Sequence, residues 1–416
     1  MIDKTFNLPN MRMERFVARR FLPRRKEALS TPIITLAVVS IALGVLVMVM
    51  ALAILTGFQG EIRSRVVGFG SHLIVSGLEP GVGYDELPID TDREVFRTIA
   101  ATEGVKHLQF YAEKGGMIKT GQEIHGVILK GVDAGYDTTF FSSVLQQGRL
   151  PYLADTLPSN EVIVSRNVAD KLSVAVGDKL PTYFFQDGSY RARAFRIVGV
   201  YSTDMNEFDD HYIIGDLRQV QRLNDWQPTQ AQGCEITITD FGKLPEMAQT
   251  IYNTLDYDLN LETIVDLQPA LFAWLNLLDS NIVLILVIMA IVCMVAVVST
   301  LLILIFEKTQ TIGILKTLGC TNKSVRRIFL IKAAGIIIKG ILIGMAVALV
   351  LSLLQSTLHI IHLDPASYSM SYVPVEINPL HYLFVGVSTF ALCLLSLMLP
   401  ATSISKIQPA KTIRVE

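Results

Sequence analysis

Residues 282–331 constrain this chain more than any other stretch. They open with an apolar run, IVLILVIMAIVCMVAVVSTLLILIF, and no charge falls between Asp279 and Glu307. The chain then turns polar as EKTQTIGILKTLGCTNKSVRR before apolar residues resume. The run 282–306 has 25 residues, and at about 1.5 Å per residue a helix of that length crosses a hydrocarbon core of about 30 Å. A membrane helix, a short basic amphipathic turn and a second membrane helix produce this pattern.

Three further runs have the same character, at 33–56, 333–358 and 380–400. Together the four account for a mean hydropathy of +0.44 in a 416-residue chain with 51% apolar and only 18% charged residues, too apolar for an ordinary soluble protein. The first run is longer than the apolar centre of a signal peptide and has no small-residue cleavage site, so it is expected to be a retained anchor. The run at 333–358 carries Lys339, within two turns of the basic segment, whose side chain can snorkel back to that interface. It also has Gly340 and Gly344 at the G-x-x-x-G spacing of close helix packing. Ahead of the first span, residues 1–32 include MERFVARRFL, with Phe16, Val17, Phe21 and Leu22 on or near one face of a helix and arginines opposite. Such a segment lies in a membrane interface or serves as a plain positive retention signal.

Lysine and arginine counts orient the spans. The N-terminal arm has eight, the segment 307–332 has six, the tail 401–416 has three, and the loop 359–379 has none. Both termini and the turn are therefore expected in the cytoplasm, with 57–281 and 359–379 on the other side. The net charge of −2 gives no electrostatic reason to bind nucleic acid. Cys234, Cys293, Cys320 and Cys393 are too widely spaced for a disulfide framework or a zinc site.

The outer segment 57–281 reads as a folded α+β domain. Apolar positions Phe58, Ile62, Val66, Val67 and Phe69 recur at roughly helical spacing, so the first helix is expected to continue past the membrane. A strand at 72–77, a helix at 92–101 capped by Thr91 or Asp92, and a strand at 105–112 follow; the same order recurs at 234–241, 244–255 and 259–264. Two β-α-β halves at 57–112 and 234–281 can pair as one ferredoxin-like sheet, with 113–233 as an inserted β-rich subdomain that includes a hairpin around Asp187-Gly188. The helix DLQPALFAWLNLLD then leads into the second span.

Catalytic motifs are absent from the sequence: there is no phosphate-cradling G-x-x-x-x-G-K-[ST] loop, no H-E-x-x-H, no C-x-x-C and no G-x-S-x-G. His359 and His362, three apart, lack a neighbouring carboxylate and read better as interfacial anchors than as metal ligands. Asp204, Glu207, Asp209 and Asp210 with His211 have calcium-binding chemistry but no glycine-centred EF-hand loop, so a solvated loop is expected. Within IGILKTLG, Ile312, Leu315 and Leu318/Gly319 fall on one side of a short helix that Gly319 is placed to end. An apolar stripe with a basic end suits a groove on another protein.

Several of these segments resemble a known family. The basic arm, the span containing IALGV and the sequence GFQGEIRSRVVGFGSHLIV resemble the opening of the lipoprotein-releasing permeases, part of a wider family of ABC-transporter permeases with macrolide-exporter and cell-division members. EKTQTIGILKTLGCTNKSVRRIF resembles that family's coupling helix, and ISKIQPAKTIRVE its usual ending. The resemblance implies a bacterial inner-membrane permease that pairs with a second permease chain, identical or related, and with two ATPase subunits that bind the ATP and magnesium. It also implies a lipoprotein substrate drawn from the membrane lipid and a periplasmic lipoprotein carrier. By the same resemblance Glu307, Lys308, Ile312, Gly313, Ile314, Leu315, Lys316 and Gly319 seat in the ATPase, and lipid chains enter near Met48, Leu52, Leu55, Phe58, Ile282, Ile285 and Met289. The chain departs from the family at FFQDGSYRARAF, a compact hairpin where carrier-recruiting members have a proline-containing hook.

Two functional readings follow from that family. One is extraction of lipid-anchored proteins driven by a partner ATPase; the other is mechanotransmission, in which the outer domain activates a periplasmic partner such as a cell-wall hydrolase and transports nothing. The size of the outer domain favours extraction. A third class, an uncoupled periplasmic sensor or scaffold, has no need of the basic turn.

Overall fold

The computed structural model describes residues 30–78, 87–121, 123–153, 158–186, 188–364, 368 and 370–401; the amphipathic arm and the basic tail lie outside these, apart from residues 30–32 and 401. Two compact units divide the chain. One holds residues up to Phe58, Leu275–Ile361 and Val373 onward; the other holds Gln59–Trp274 and His362–Tyr372.

The first unit is helical. Among the described residues four helices are long and apolar enough to cross a membrane: Ser30–Gly70, Pro269–Glu307, Asn322–Leu358 and Pro379–Ser396, the last followed by a short helix Met398–Ala401. The first three contain their expected apolar runs and extend well beyond them, whereas the fourth ends at Ser396, short of the expected 400. The first continues to Gly70 because 57–70 contains no proline and gains a Glu61–Arg65 ion pair one turn apart at 2.9 Å. Ile41, Val45 and Val49 of the first helix meet Cys293, Val297 and Leu301 of the second and Ile337 and Ile341 of the third in one buried cluster.

Gly340 and Gly344 set how closely the third helix approaches the first. A Cβ on Gly340 would lie 2.7 Å from Ile41 Cβ, and one on Gly344 2.5 Å from the carbonyl oxygen of Ala42. The G-x-x-x-G face is therefore a backbone-to-helix contact. Gly344→Leu is expected to force these helices apart and to cost about 1–3 kcal/mol, read as a lower midpoint of thermal unfolding in detergent. Beyond the third helix, the Gln355 amide donates to the carbonyls of Ile361 (3.3 Å) and Val373 (3.0 Å) and accepts from Ile361 N–H (3.0 Å), tying both ends of the following loop. His359 ends that helix in a left-handed conformation, φ +47°.

In the second unit the described residues contain twelve strands: β1 (Leu73–Gly77), β2 (Ile89–Asp90), β3 (Val105–Thr120), β4 (Glu123–Val132), β5 (Leu145–Gly148), β6 (Glu161–Ser165), β7 (Lys179–Gln186), β8 (Ser189–Tyr201), β9 (Tyr212–Asp216), β10 (Gln230–Ala231), β11 (Gly233–Ile238) and β12 (Leu259–Thr263). Ten join one sheet in the order β12-β1-β11-β3-β4-β9-β6-β8-β5, with β7 pairing β3 and β8. The first four are mutually antiparallel. Helix Glu94–Ala100 connects β1 towards β3, and helix Leu244–Tyr252 connects β11 to β12, so both β-α-β halves are present.

Three expectations change here. No separate sheet begins at 113, because β3 runs unbroken from 105 to 120 and carries pairing from the first half into the second. The helix at 94–100 starts at Arg93 without a side-chain cap; Arg93 instead grips Asp258 with two hydrogen bonds of 2.8 and 2.7 Å. The second half also has elements without a sequence counterpart above, β9 and helix Leu217–Leu223, which pack Ile213, Leu217 and Val220 into a core with Leu129, Val164 and Ile197. The hairpin lies where expected, with Gln186 paired to Ser189 and Gly188 at φ +74°.

Candidate functional site

The basic turn between the second and third long helices folds as a helix of its own, Thr309–Thr317. Glu307 and Lys308 precede it as an adjacent ion pair at 3.4 Å, and Lys308 occupies the cap position. Gly319 follows it at φ +90°, donating its N–H to Lys316 O (3.1 Å), while Cys320 N–H reaches back to Leu315 O (3.0 Å). A left-handed residue just past a helix closes its last carbonyls, and glycine adopts that conformation without strain. Thr321 then caps the next helix through Ser324 N–H.

The apolar stripe differs from the one expected. Ile312 and Gly313 are buried, and Ile312 belongs to the core cluster of its own helical unit. Leu315 and Lys316 are half-buried, whereas Ile314 and Leu318 are 54% and 77% exposed. Ile312 therefore anchors the short helix to its own chain, and the edge open to a partner is Ile314/Leu318, four apart.

The expected lipid-cleft residues divide similarly. Met48 and Ile282 are buried within the chain; Leu52, Leu55, Phe58 and Met289 are half-buried; Ile285 is exposed. Exposed apolar side chains occur on all four long helices, and the second is the least buried of them. Val283, Leu284, Val287 and Ile288 face outward there beside Ile285.

The sequence reading missed the seat of Phe69, in the last turn of the first long helix. Its ring stacks on Phe208 (centroids 4.2 Å apart) and meets Tyr212 and Phe141 edge-on. Its carbonyl accepts from Lys130 Nζ at 2.7 Å. Lys130, on β4, pairs with Glu235 on β11 at 2.5 Å, both side chains no more than 2% exposed. Gln109 (2.8 Å) and Tyr136 (3.1 Å) donate to the other carboxylate oxygen, and the ammonium also lies over the Phe69 and Tyr111 rings. Burial and the Glu235 carboxylate push the Tyr136 phenol well above its ordinary pKa, so it remains a donor. The cation completes the negative end of the helix while its charge is matched across the sheet. The available signal was a lysine in the apolar stretch VILKGV and a lone glutamate in GCEITI.

The acidic run is an anchoring network and not the solvated loop expected. Asp209 is buried and accepts from Thr203 N–H, Thr203 Oγ1 and Ser202 Oγ, and burial pushes its carboxyl up. Asp204 binds Arg65 (3.0 Å) and the Ser371 hydroxyl (3.1 Å), Asp210 binds Asn167 and Lys171, and Glu207 binds Gln268. Among the described residues no group of three or more His, Cys, Asp or Glu is placed to hold a metal ion.

His72 follows the same helix end. Its Nδ1 accepts from Ile238 N–H at 3.2 Å, and burial together with the Lys106 ammonium pushes its pKa down from 6.5 to about 4. The unfolded chain therefore takes up a proton at this position that the folded one refuses. The His72 contribution to stability is complete above about pH 6.5 and is lost as pH falls towards 4. His72→Asn is expected to flatten this decline, measured as the unfolding midpoint at pH 7, 5.5 and 4.5.

Four apolar helices and one large mixed α+β unit define a polytopic membrane protein with a substantial extramembrane domain. Residues 34–251 match the family model of the MacB-like periplasmic core domain, and residues 283–409 match that of the FtsX-like permease C-terminal region. The first match alone takes in more than half of the chain, and the chain belongs to this family of membrane permeases with a periplasmic domain. Among curated relatives, the lipoprotein-releasing system transmembrane protein LolC of Haemophilus influenzae is 24% identical over 405 residues, covering 92% of this chain and 93% of its own. LolE of the same organism is 22% identical over 407 residues, covering 94% and 96%. The crystal structure of the periplasmic region of MacB from Actinobacillus actinomycetemcomitans covers 50% of this chain and 95% of its own at 12% identity and a TM-score of 0.33, a likeness too slight to carry inference.

Proposed function

We propose that this chain is the permease subunit of an inner-membrane ABC transporter that extracts lipoproteins from the outer leaflet for transfer toward the outer membrane. The observation that carries the reading is near-full-length similarity to permeases named for lipoprotein release. ATP and magnesium are bound and hydrolysed by two partner ATPase subunits, which grip the helix Thr309–Thr317 by its exposed Ile314/Leu318 edge. A second permease chain, identical or related, covers part of the exposed second long helix. Both termini are cytoplasmic, a reading supported by the lysine and arginine distribution. The strands β12-β1-β11-β3 form a ferredoxin-like porter subdomain, a reading supported by their antiparallel order and two β-α-β halves.

Photocrosslinking tests extraction directly. A crosslinker at Ile285 or Leu55, in cells, is expected to trap acylated proteins. Capture of only non-lipidated periplasmic proteins, and only through residues 140–230, would exclude extraction. That outcome belongs to the second reading, in which the permease transmits ATPase motion to a periplasmic enzyme. The tight β7–β8 hairpin favours this alternative, because it lacks the hook expected of a chain that recruits a carrier.

A further inference from the structure

Beside the docked end of the first long helix lies a cavity of about 540 Å³, within the size range of small-molecule sites. We propose that it binds a phosphate-bearing anion, independently of what the permease transports. The groups lining it are rich in donors and net positive. Arg63 lies over the Phe241 ring, 5.1 Å from its centroid, and its Nε is buried without a hydrogen bond among the described residues. A buried guanidinium donor without an acceptor is costly, and an anion relieves that cost. Lys106 contributes an ammonium that is 61% exposed. The neutral His72 accepts at Nδ1 and so carries its proton on Nε2, a further donor. Ser64 also lines the space, whereas the Ser143 and Thr239 hydroxyls already donate to the Phe140 and Gly104 carbonyls.

The carboxylate among the lining groups, Asp137, already accepts from Thr139 N–H at 3.0 Å and lies 4.0 Å from Lys106. One acid against two cations leaves room for an anion. Phe140 and Ile238 in the lining suit the carbon part of a phosphoester.

The full-length chain in detergent is titrated with phosphatidylglycerol and, separately, with glycerol 3-phosphate, and bound ligand is counted by native mass spectrometry. Wild type is expected to retain one phosphatidylglycerol that the double variant Arg63→Gln/Lys106→Gln holds about tenfold or more weakly, one lost charge-assisted hydrogen bond being of that order. Arg63→Lys is expected to restore part of the affinity. Binding of glycerol 3-phosphate without lipid retention supports the site with a soluble phosphoester as its ligand. Equal binding by wild type and double variant, or binding of neither probe, overturns the proposal. Should the double variant not fold, Lys106→Gln alone decides, since that side chain is mostly exposed: unchanged affinity there also overturns it.

Discussion

Lys130→Met is expected to destabilise the periplasmic domain by about 3–5 kcal/mol, because Glu235 is then left charged and buried without its counter-ion. The loss is not that of one isolated contact. The same ammonium holds the Phe69 carbonyl at the end of the first long helix and lies against the Phe69 and Tyr111 rings. Hydrogen exchange is therefore expected to rise in two places together: across the β4 and β11 strands, and in the helix segment that carries Phe69. The double variant Lys130→Met/Glu235→Leu separates charge from packing. It removes both ions, and replacing a buried pair with apolar residues is often close to neutral, so it should recover most of the stability. If the single and double variants are equally unstable in urea or thermal unfolding of the full chain, the ion pair is not what holds the helix end.

Ile314→Asp/Leu318→Asp is expected to abolish co-purification of an ATP-binding subunit while leaving the permease folded. Truncating a central apolar anchor of an interface costs about 2 kcal/mol or more, so losing two amounts to roughly a thousandfold in affinity. Both side chains are solvent-exposed in the chain itself, and a charge there disturbs no internal packing. Ile312→Asp serves as the contrast. Ile312 is 1% exposed within the helical core, so an aspartate there buries an unpaired charge and should lower the yield of folded permease before any partner is involved. Retention of the ATPase by the Ile314/Leu318 variant would place coupling elsewhere on the chain.

The membrane half was largely legible because its signal is local. A bilayer demands about 20 consecutive apolar residues in a helix, and the four runs appear in the sequence as four helices in the structure. Gly319 was similarly readable, since a helix end is set by residues within one turn. The two β-α-β halves could be recognised from alternation and spacing. By contrast, β9 and helix Leu217–Leu223 are held by packing against strands distant in sequence. The acidic run misled for a related reason: Arg65 and Ser371, which satisfy Asp204, are 139 and 167 residues away from it.

The sequence by itself determined the spans, the turn between the second and third of them, and the absence of a phosphate-binding loop, all of which depend on residues adjacent in the chain. Tertiary structure decided which face of the Thr309–Thr317 helix is open. Periodicity gives the spacing of apolar side chains but not which of them the chain keeps for its own core, and here it keeps Ile312 and leaves Ile314 and Leu318 free. It also decided that Lys130, Glu235 and Phe69 meet. A buried charge is tolerable only where a partner arrives across the fold, and three residues separated by 61 and 105 positions have no local signature of that meeting.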